Sequence, residues 1–215
     1  MDREKIFVIG DIHGCLDMLK RLIRQIKWNP DADQLIFIGD YVDRGEDPKG
    51  VVDFILKLKK RSALVKCLIG NHEQMLLDYL SGADRKNFLM NGGNSTLRSY
   101  NETRSNDSEP LFPQSHLDFF SSLLPMIELD EYYIVHAGFR PNLRIEDQDL
   151  DDMIWIRDEF IYSDYDFGKV VIFGHTAFDR PRIMKNKIGI DTGAVYGNSL
   201  TCLELPERKF HSVKP

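Results

Sequence analysis

Two carboxylates and a guanidinium stand between glycines in Gly39-Asp40-Tyr41-Val42-Asp43-Arg44-Gly45, directly after the apolar run Gln34 to Ile38. Acids delivered to the end of a covered strand invite a metal, because a cation offsets the cost of taking their charge out of water. The arrangement recurs on either side. Ile6 to Ile9 ends in Gly10-Asp11-Ile12-His13-Gly14, and Ala63 to Ile69 ends in Gly70-Asn71-His72-Glu73. His13, His72, His136 and His175 all sit in short glycine-containing segments after apolar runs, where open α/β sheets gather ligands. With Asp11, Asp40 and Asn71 they make a mixed oxygen and imidazole set large enough for two metal ions. Singly, each has an ordinary role as a turn acid, a surface ion pair (Asp43-Arg44) or a hydrogen-bonded histidine. Their joint occurrence is what points to a metal centre.

The elements that must position these residues can be read from periodicity. Leu16, Leu19, Leu22, Ile23 and Ile26 recur at helical spacing up to Asn29-Pro30. A second helix starts near Pro48, buries Val51, Val52, Ile55, Leu56 and Leu58, and ends in Lys57, Lys59, Lys60 and Arg61, cations that offset the carbonyl end of the helix dipole. Alternation of strand and helix up to about Leu80 implies parallel pairing, with ligands at the strand C-terminal edge. Residues 81–113 are polar with little periodicity, and are expected to form a cap-like excursion with a mobile tip. A short helix follows over His116 to Leu124. The remainder predicts strands at Met126 to Leu129, Tyr132 to Val135, Val170 to Phe173, Arg182 to Lys185, Lys187 to Asp191 and Leu200 to Leu205, mostly antiparallel, with Asn186 in a hairpin turn. One domain over residues 1–215 is expected, built as two face-to-face sheets with helices outside.

Apolar residues at 42% and charged residues at 29% are ordinary for a globular chain, and a net charge of -6 argues against whole-surface binding to nucleic acid or anionic membrane. The start Met-Asp-Arg-Glu-Lys lacks a secretory pattern, no apolar run is long enough to span a bilayer, and Cys15, Cys67 and Cys202 form no CxxC. A cytoplasmic protein without a disulfide framework is expected. No stable protein partner is evident. Trp155 is assigned to the core, and His116 and His211 to the surface or to structure. Tyr41, Tyr196 and Asn94 are as compatible with lining a pocket as with packing.

The segments GDxHG, GDxVDRG, GNHE, HAG and GH, present in that order from Gly10 to His175, resemble the metal-dependent phosphoprotein phosphatases of the calcineurin-like metallophosphoesterases. Gly70 to Met75, Asn91-Gly92-Gly93 and Ile190 to Ala194 look most like the small bacterial and phage serine/threonine phosphatases. The resemblance implies an α/β/β/α fold of two mixed sheets packed as a sandwich. It implies two divalent ions, with Mn expected and Fe, Zn or Co also suited to the donors. Asp11 and His13 would ligate the first ion, Asn71, His136 and His175 the second, and Asp40 would bridge them. A hydroxide shared by the ions would attack phosphorus directly. Arg44 and Arg157 would hold the phosphate, and His72 would be the general acid, with Asp43 setting its tautomer. The implied activity is hydrolysis of phosphomonoesters, chiefly phosphoserine and phosphothreonine in proteins. A dinucleoside polyphosphate hydrolase is the alternative, and an inactive scaffold on the same fold is disfavoured by the complete residue set.

Overall fold

The computed structural model describes residues 4–106 and 108–215. Met1-Asp2-Arg3, part of the start read for a secretory pattern, and Asp107, in the polar tract, lie outside the described residues.

β1 (Ile6–Ile9), α1 (Leu16–Ile26), β2 (Gln34–Phe37), α2 (Pro48–Arg61), β3 (Val65–Cys67) and α3 (Asn71–Ser81) follow one another as the periodicity predicts. β1 pairs in parallel with β2, and β2 with β3. The C-terminal strands β9 (Leu200–Leu205) and β10 (Lys209–Val213) add antiparallel on the other side of β1, giving the order β10-β9-β1-β2-β3. The second sheet has the order β4-β5-β6-β8-β7, from β4 (Met126–Glu128), β5 (Tyr132–Val135), β6 (Val170–Phe173), β7 (Arg182–Ile183) and β8 (Lys187–Gly189).

Alternation along these strands separates the apolar residues into layers. Val8 on β1, Ile36 on β2, Ile134 on β5, Ile172 on β6 and Ile188 on β8 pack together between the sheets. Their neighbours Phe7, Ile9, Leu35 and Phe37 turn to the opposite face, against Leu19, Leu22, Val51 and Ile55 of α1 and α2. Val135, Val171 and Phe173 likewise leave the inter-sheet layer and pack with Met153, Ile154 and Phe160. Two mixed sheets with helices on their outer faces are the α/β/β/α architecture read from the sequence. Each fully buried Ile or Phe in such a layer contributes roughly 1.5–3 kcal/mol of hydrophobic stabilisation.

Several local expectations are corrected. The centre of the second sheet is parallel, β5 to β6 to β8, with antiparallel pairing only at its edges. The crossover from β5 to β6 contains two short helices that the sequence reading missed, Leu150–Trp155 and Asp158–Ile161. Strand β10, also missed, is a half-polar edge strand whose burial alternates weakly. The excursion is helical where aperiodic loop was expected, with Arg85–Phe88, a π-type turn at Leu89–Gly93, and then Asn94–Glu102; the short helix expected over His116 to Leu124 follows, at Gln114–Ser121. Numbered with the crossover helices, these are α4 (Arg85–Phe88), α5 (Asn94–Glu102), α6 (Gln114–Ser121), α7 (Leu150–Trp155) and α8 (Asp158–Ile161). Gly92, at φ +104°, breaks the helical path between α4 and α5, which is why no single 3.6-residue repeat runs through the segment.

No helix among the described residues is long and apolar enough to cross a membrane. Cys15, Cys67 and Cys202 are free thiols.

Candidate metal centre

The loops after β1, β2, β3, β5 and β6 meet at one edge of the two sheets, and bring together every metal-ligand candidate. Close approach needs glycine at one point in particular. A Cβ on Gly39 would lie 2.7 Å from the amide nitrogen of Gly70 and 2.9 Å from Nδ1 of His136. Among the described residues, His13, Asp40, Asp43, Arg44 and His175 are five of the eight non-glycine residues with positive φ. Strained backbone of this kind persists only where the surroundings over-determine it, and here it aims side chains into one space.

Ligand atoms of His13, Asp40 and His72 lie within 4.8 Å of one another, as do those of Asp40, His136 and His175. Asp40 belongs to both groups, with His13 Nε2 at 3.2 Å from its Oδ2 and His136 Nε2 at 3.5 Å from its Oδ1. The backbone sets the tautomers. Nδ1 of His13 donates to the carbonyl of Val42 at 2.9 Å, and Nδ1 of His136 to the carbonyl of Ile38 at 2.9 Å. Since a carbonyl only accepts, both Nε2 atoms are left with lone pairs toward the cluster. Nε2 of His136 faces Oδ1 of Asn71 at 3.0 Å, so acceptors converge where a cation would satisfy them. Nη1 of Arg44 lies 2.7 Å from Nε2 of His13, a cation on one of these lone pairs.

Asp11 stands outside both groups. Its Oδ2 accepts the amide hydrogen of His175 at 3.0 Å, while its Oδ1 and the Nε2 of His175 are buried without a hydrogen-bond partner. Two orphaned ligand-type atoms are the strongest sign that the donor set fits divalent cations.

Electrostatics point the same way. Burial opposes ionisation of Asp40, but its interactions with His136, His72 and His13 outweigh that and hold its carboxyl well below the usual range. Burial, with Asp191 and Asp40 nearby, pushes Asp11 well above it. Burial also lowers His136, and with the neighbouring His136 it brings His175 down to about 2, so that imidazole stays neutral and able to ligate. His13 is the exception: burial pulls it down, but the charge and hydrogen bond of Asp40 outweigh that and move it up, a pairing that a bound cation would displace. This crowding of acids is what bound cations would relieve.

The sequence profile of the calcineurin-like phosphoesterases matches residues 4–183. The chain belongs to that family. It is 32% identical over 206 residues to serine/threonine-protein phosphatase 1 of Salmonella typhimurium, covering 91% of this chain and 89% of that protein. It is 30% identical over 231 residues to the asymmetrical bis(5'-nucleosyl)-tetraphosphatase PrpE of Halalkalibacterium halodurans, covering 96% and 92%. The cold-active protein-tyrosine phosphatase of a Shewanella species superimposes with a TM-score of 0.74 at 18% identity, over 99% of this chain and 78% of that one, a likeness of fold.

In this phosphoesterase the two residues read as a proton donor and its brace are in contact, with Nδ1 of His72 2.6 Å from Oδ2 of Asp43 and both side chains buried. Arg44 is exposed and stacks over Tyr196, its Cζ 5.8 Å from the ring centroid. Arg157 donates from Nη1 to the carbonyl of His175 at 3.0 Å and to Oγ1 of Thr176 at 3.1 Å. That places it beside the loop after β6 that carries the candidate ligand His175. Trp155 corrects its core assignment: it is 38% exposed, with its ring edge-on to His175 at 6.0 Å, because it ends α7 beside that loop. Tyr41 is core instead, its hydroxyl donating to the carbonyl of Leu68 at 2.7 Å. His116, assigned to surface or structure, is buried and structural, and His211 pairs with Glu204.

Two residues were missed. Glu73 accepts the amide hydrogens of Asp40 and Tyr41 at 2.8 Å each and of Gly70 at 3.1 Å, tying the β2 loop to the start of α3. Its position three residues after Gly70, the capping-box spacing, was the available signal. Thr96 contacts Asp43 from 53 residues away, and nothing local in the sequence announces it.

Proposed function

We propose that the chain is a divalent-metal-dependent phosphomonoesterase whose substrates are phosphoserine and phosphothreonine in proteins, working as one catalytic domain. The buried His72–Asp43 pair carries this reading. Expelling a serine or threonine alkoxide requires a proton at the leaving oxygen, whereas a phosphoanhydride leaves as an anion already stable near neutral pH. A histidine whose Nδ1 is engaged by a carboxylate has its Nε2 free for that proton.

Asp11, His13, Asp40, Asn71, His136 and His175 would hold two divalent ions, Asp40 being the residue common to both groups. Oxygen and imidazole donors without thiolate suit Mn, Fe, Zn or Co, and Mn is the ion expected here. When bound, the ions supply charge neutralisation and acidify water for attack on phosphorus. The remaining work falls to the protein's own groups. Arg44 and Arg157 take the phosphate oxygens in forked hydrogen bonds. As the bond from phosphorus to the ester oxygen breaks, His72 gives its Nε2 proton to that oxygen, and Asp43 stabilises the imidazole through Nδ1. The products are the free hydroxyl and inorganic phosphate.

A groove of about 660 Å³ is lined by Arg44 together with Leu16, Met18, Lys20, Glu46 and Val195, which leaves room for a substrate extending beyond its phosphate. The second reading, cleavage of dinucleoside polyphosphates, is favoured by the likeness to PrpE. Comparing kcat/KM for a phosphoserine peptide, a phosphotyrosine peptide and diadenosine tetraphosphate on Mn-reconstituted protein separates them. Preference for the phosphoserine peptide supports the proposal, and preference for the dinucleotide replaces it with the second reading.

A further inference from the structure

Both oxygens of the Asp43 carboxylate are engaged. Oδ2 faces His72, and Oδ1 accepts the hydroxyl hydrogen of Thr96 at 2.6 Å. The same hydroxyl oxygen accepts the amide hydrogen of Asp43 at 2.9 Å. One Thr96 group therefore grips Asp43 at its main chain and at its side chain, and closes a ring that fixes the carboxylate plane. Thr96 is fully buried on the N-terminal half of α5. Water has no access to replace its hydroxyl.

The grip falls where the backbone most needs it. Asp43 and Arg44 are consecutive non-glycine residues in the left-handed region, at φ 69° and 67°. Such a pair reverts to ordinary conformations unless its surroundings hold it. The amide of Arg44 donates to the carbonyl of Gly92 at 3.3 Å, and a Cβ on Gly92 would lie 2.8 Å from Cγ of Arg44. Each strained residue is thus latched to one residue of the segment from Gly92 to Thr96. That segment is itself anchored away from the metal centre. Oγ of Ser99 donates to Oδ1 of Asp47 at 3.2 Å and accepts the amide of Lys49 at 3.2 Å, and the Tyr100 hydroxyl meets Nδ1 of His116 at 2.7 Å.

We propose that Thr96 is a positioning residue for the proton donor, acting on His72 through Asp43. Its hydroxyl holds the carboxylate in the plane that keeps the His72 ring turned with Nε2 toward the leaving oxygen. The region 81–113 then serves the chemistry through α5, in addition to any part it has in choosing substrate. This inference rests on the reading of His72 as general acid.

The test compares Thr96→Val, Thr96→Cys, Thr96→Ser and His72→Asn as full-length, Mn-loaded protein, with kcat and KM measured on a phosphoserine peptide and on p-nitrophenyl phosphate. Bound metal and Tm are measured alongside. General acid catalysis contributes about 10²–10⁴-fold, and loss of its alignment should forfeit part of that. Thr96→Val is expected to lower kcat on the peptide by about 10-fold or more and on p-nitrophenyl phosphate by less than about 3-fold, with KM and bound metal unchanged. Thr96→Ser should restore peptide turnover, and Thr96→Cys, a weaker donor of similar size, should fall between them. Thr96→Cys decides the matter if Thr96→Val does not fold. Equal losses on both substrates, failure of serine to rescue, or wild-type peptide turnover in Thr96→Cys would overturn the inference. If His72→Asn discriminates between the substrates and the Thr96 variants do not, only this inference fails. If His72→Asn itself shows no discrimination, the general-acid reading fails with it.

Discussion

Oε2 of Glu73 accepts the amide hydrogen of Asp40 at 2.8 Å, joining the residue shared by both ligand groups to an acid 33 positions later in the chain. Burial and the charge of Asp40 push Glu73 up to about 8, while the amides of Tyr41, Asp40 and Val42 pull it back toward ionisation. A carboxyl whose folded value lies above its ordinary one contributes stability that is complete below about pH 4.3 and is lost as pH rises through the folded value. The Tm of the metal-free protein is therefore expected to fall on going from about pH 6 to about pH 9. Glu73→Gln should flatten that slope, and so should added metal, which offsets the charge of Asp40. Parallel slopes for wild type and Glu73→Gln would assign the dependence elsewhere.

Asp40→Asn keeps the shape of the side chain and removes the charge shared by the two groups. Metal analysis after desalting should find no tightly held ions. A ligand at 100 times its Kd stabilises the folded state by about 2.7 kcal/mol, so a chelator should lower the Tm of the wild type and leave that of the variant unchanged. A variant that retained two ions and wild-type turnover would exclude Asp40 as the bridge.

His72→Asn should keep its metals, because the ring of His72 is already committed to Asp43 through Nδ1. The loss of kcat should be on the order of 10²-fold or more for phosphoserine peptide and several-fold smaller for p-nitrophenyl phosphate, whose leaving group needs less protonation. Release of metal from this variant would make His72 a ligand, as its place in the His13, Asp40 and His72 group permits.

Trp155 offers an optical report on the centre. Its ring lies 6.0 Å from that of His175, whereas Trp28, the other tryptophan, is buried with Nε1 donating to the carbonyl of Asp33 at 2.9 Å. Titration of metal-free protein with Mn should change tryptophan emission. Trp155→Phe should abolish the change and Trp28→Phe preserve it; the reverse pattern would mean that His175 does not meet the ion.

The loops that carry the candidate ligands could be read in the sequence because each follows a short apolar strand, and a strand end is a local event. Gln34 to Ile38 leading into Gly39-Asp40 needs no distant information to be recognised. The crossover helices α7 and α8 escaped because six and four residues are too few for a 3.6-residue repeat to stand out beside Trp155 and Arg157. The parallel centre of the second sheet depended on that crossover, so it was misread for the same reason.

The chain's own sequence determined the inventory of the centre, its order and its placement at strand ends, since motif spacing and apolar periodicity are properties of neighbouring residues. Tertiary structure decided which partners those residues have. Glu73 reaches the Asp40 loop, Asp11 reaches the amide of His175 across 164 residues, and Thr96 grips Asp43 from a helix beyond a π-type turn. A hydrogen bond requires atoms to lie within about 3 Å of each other, and that distance is set by how two sheets and their helices pack, to which no local pattern gives access.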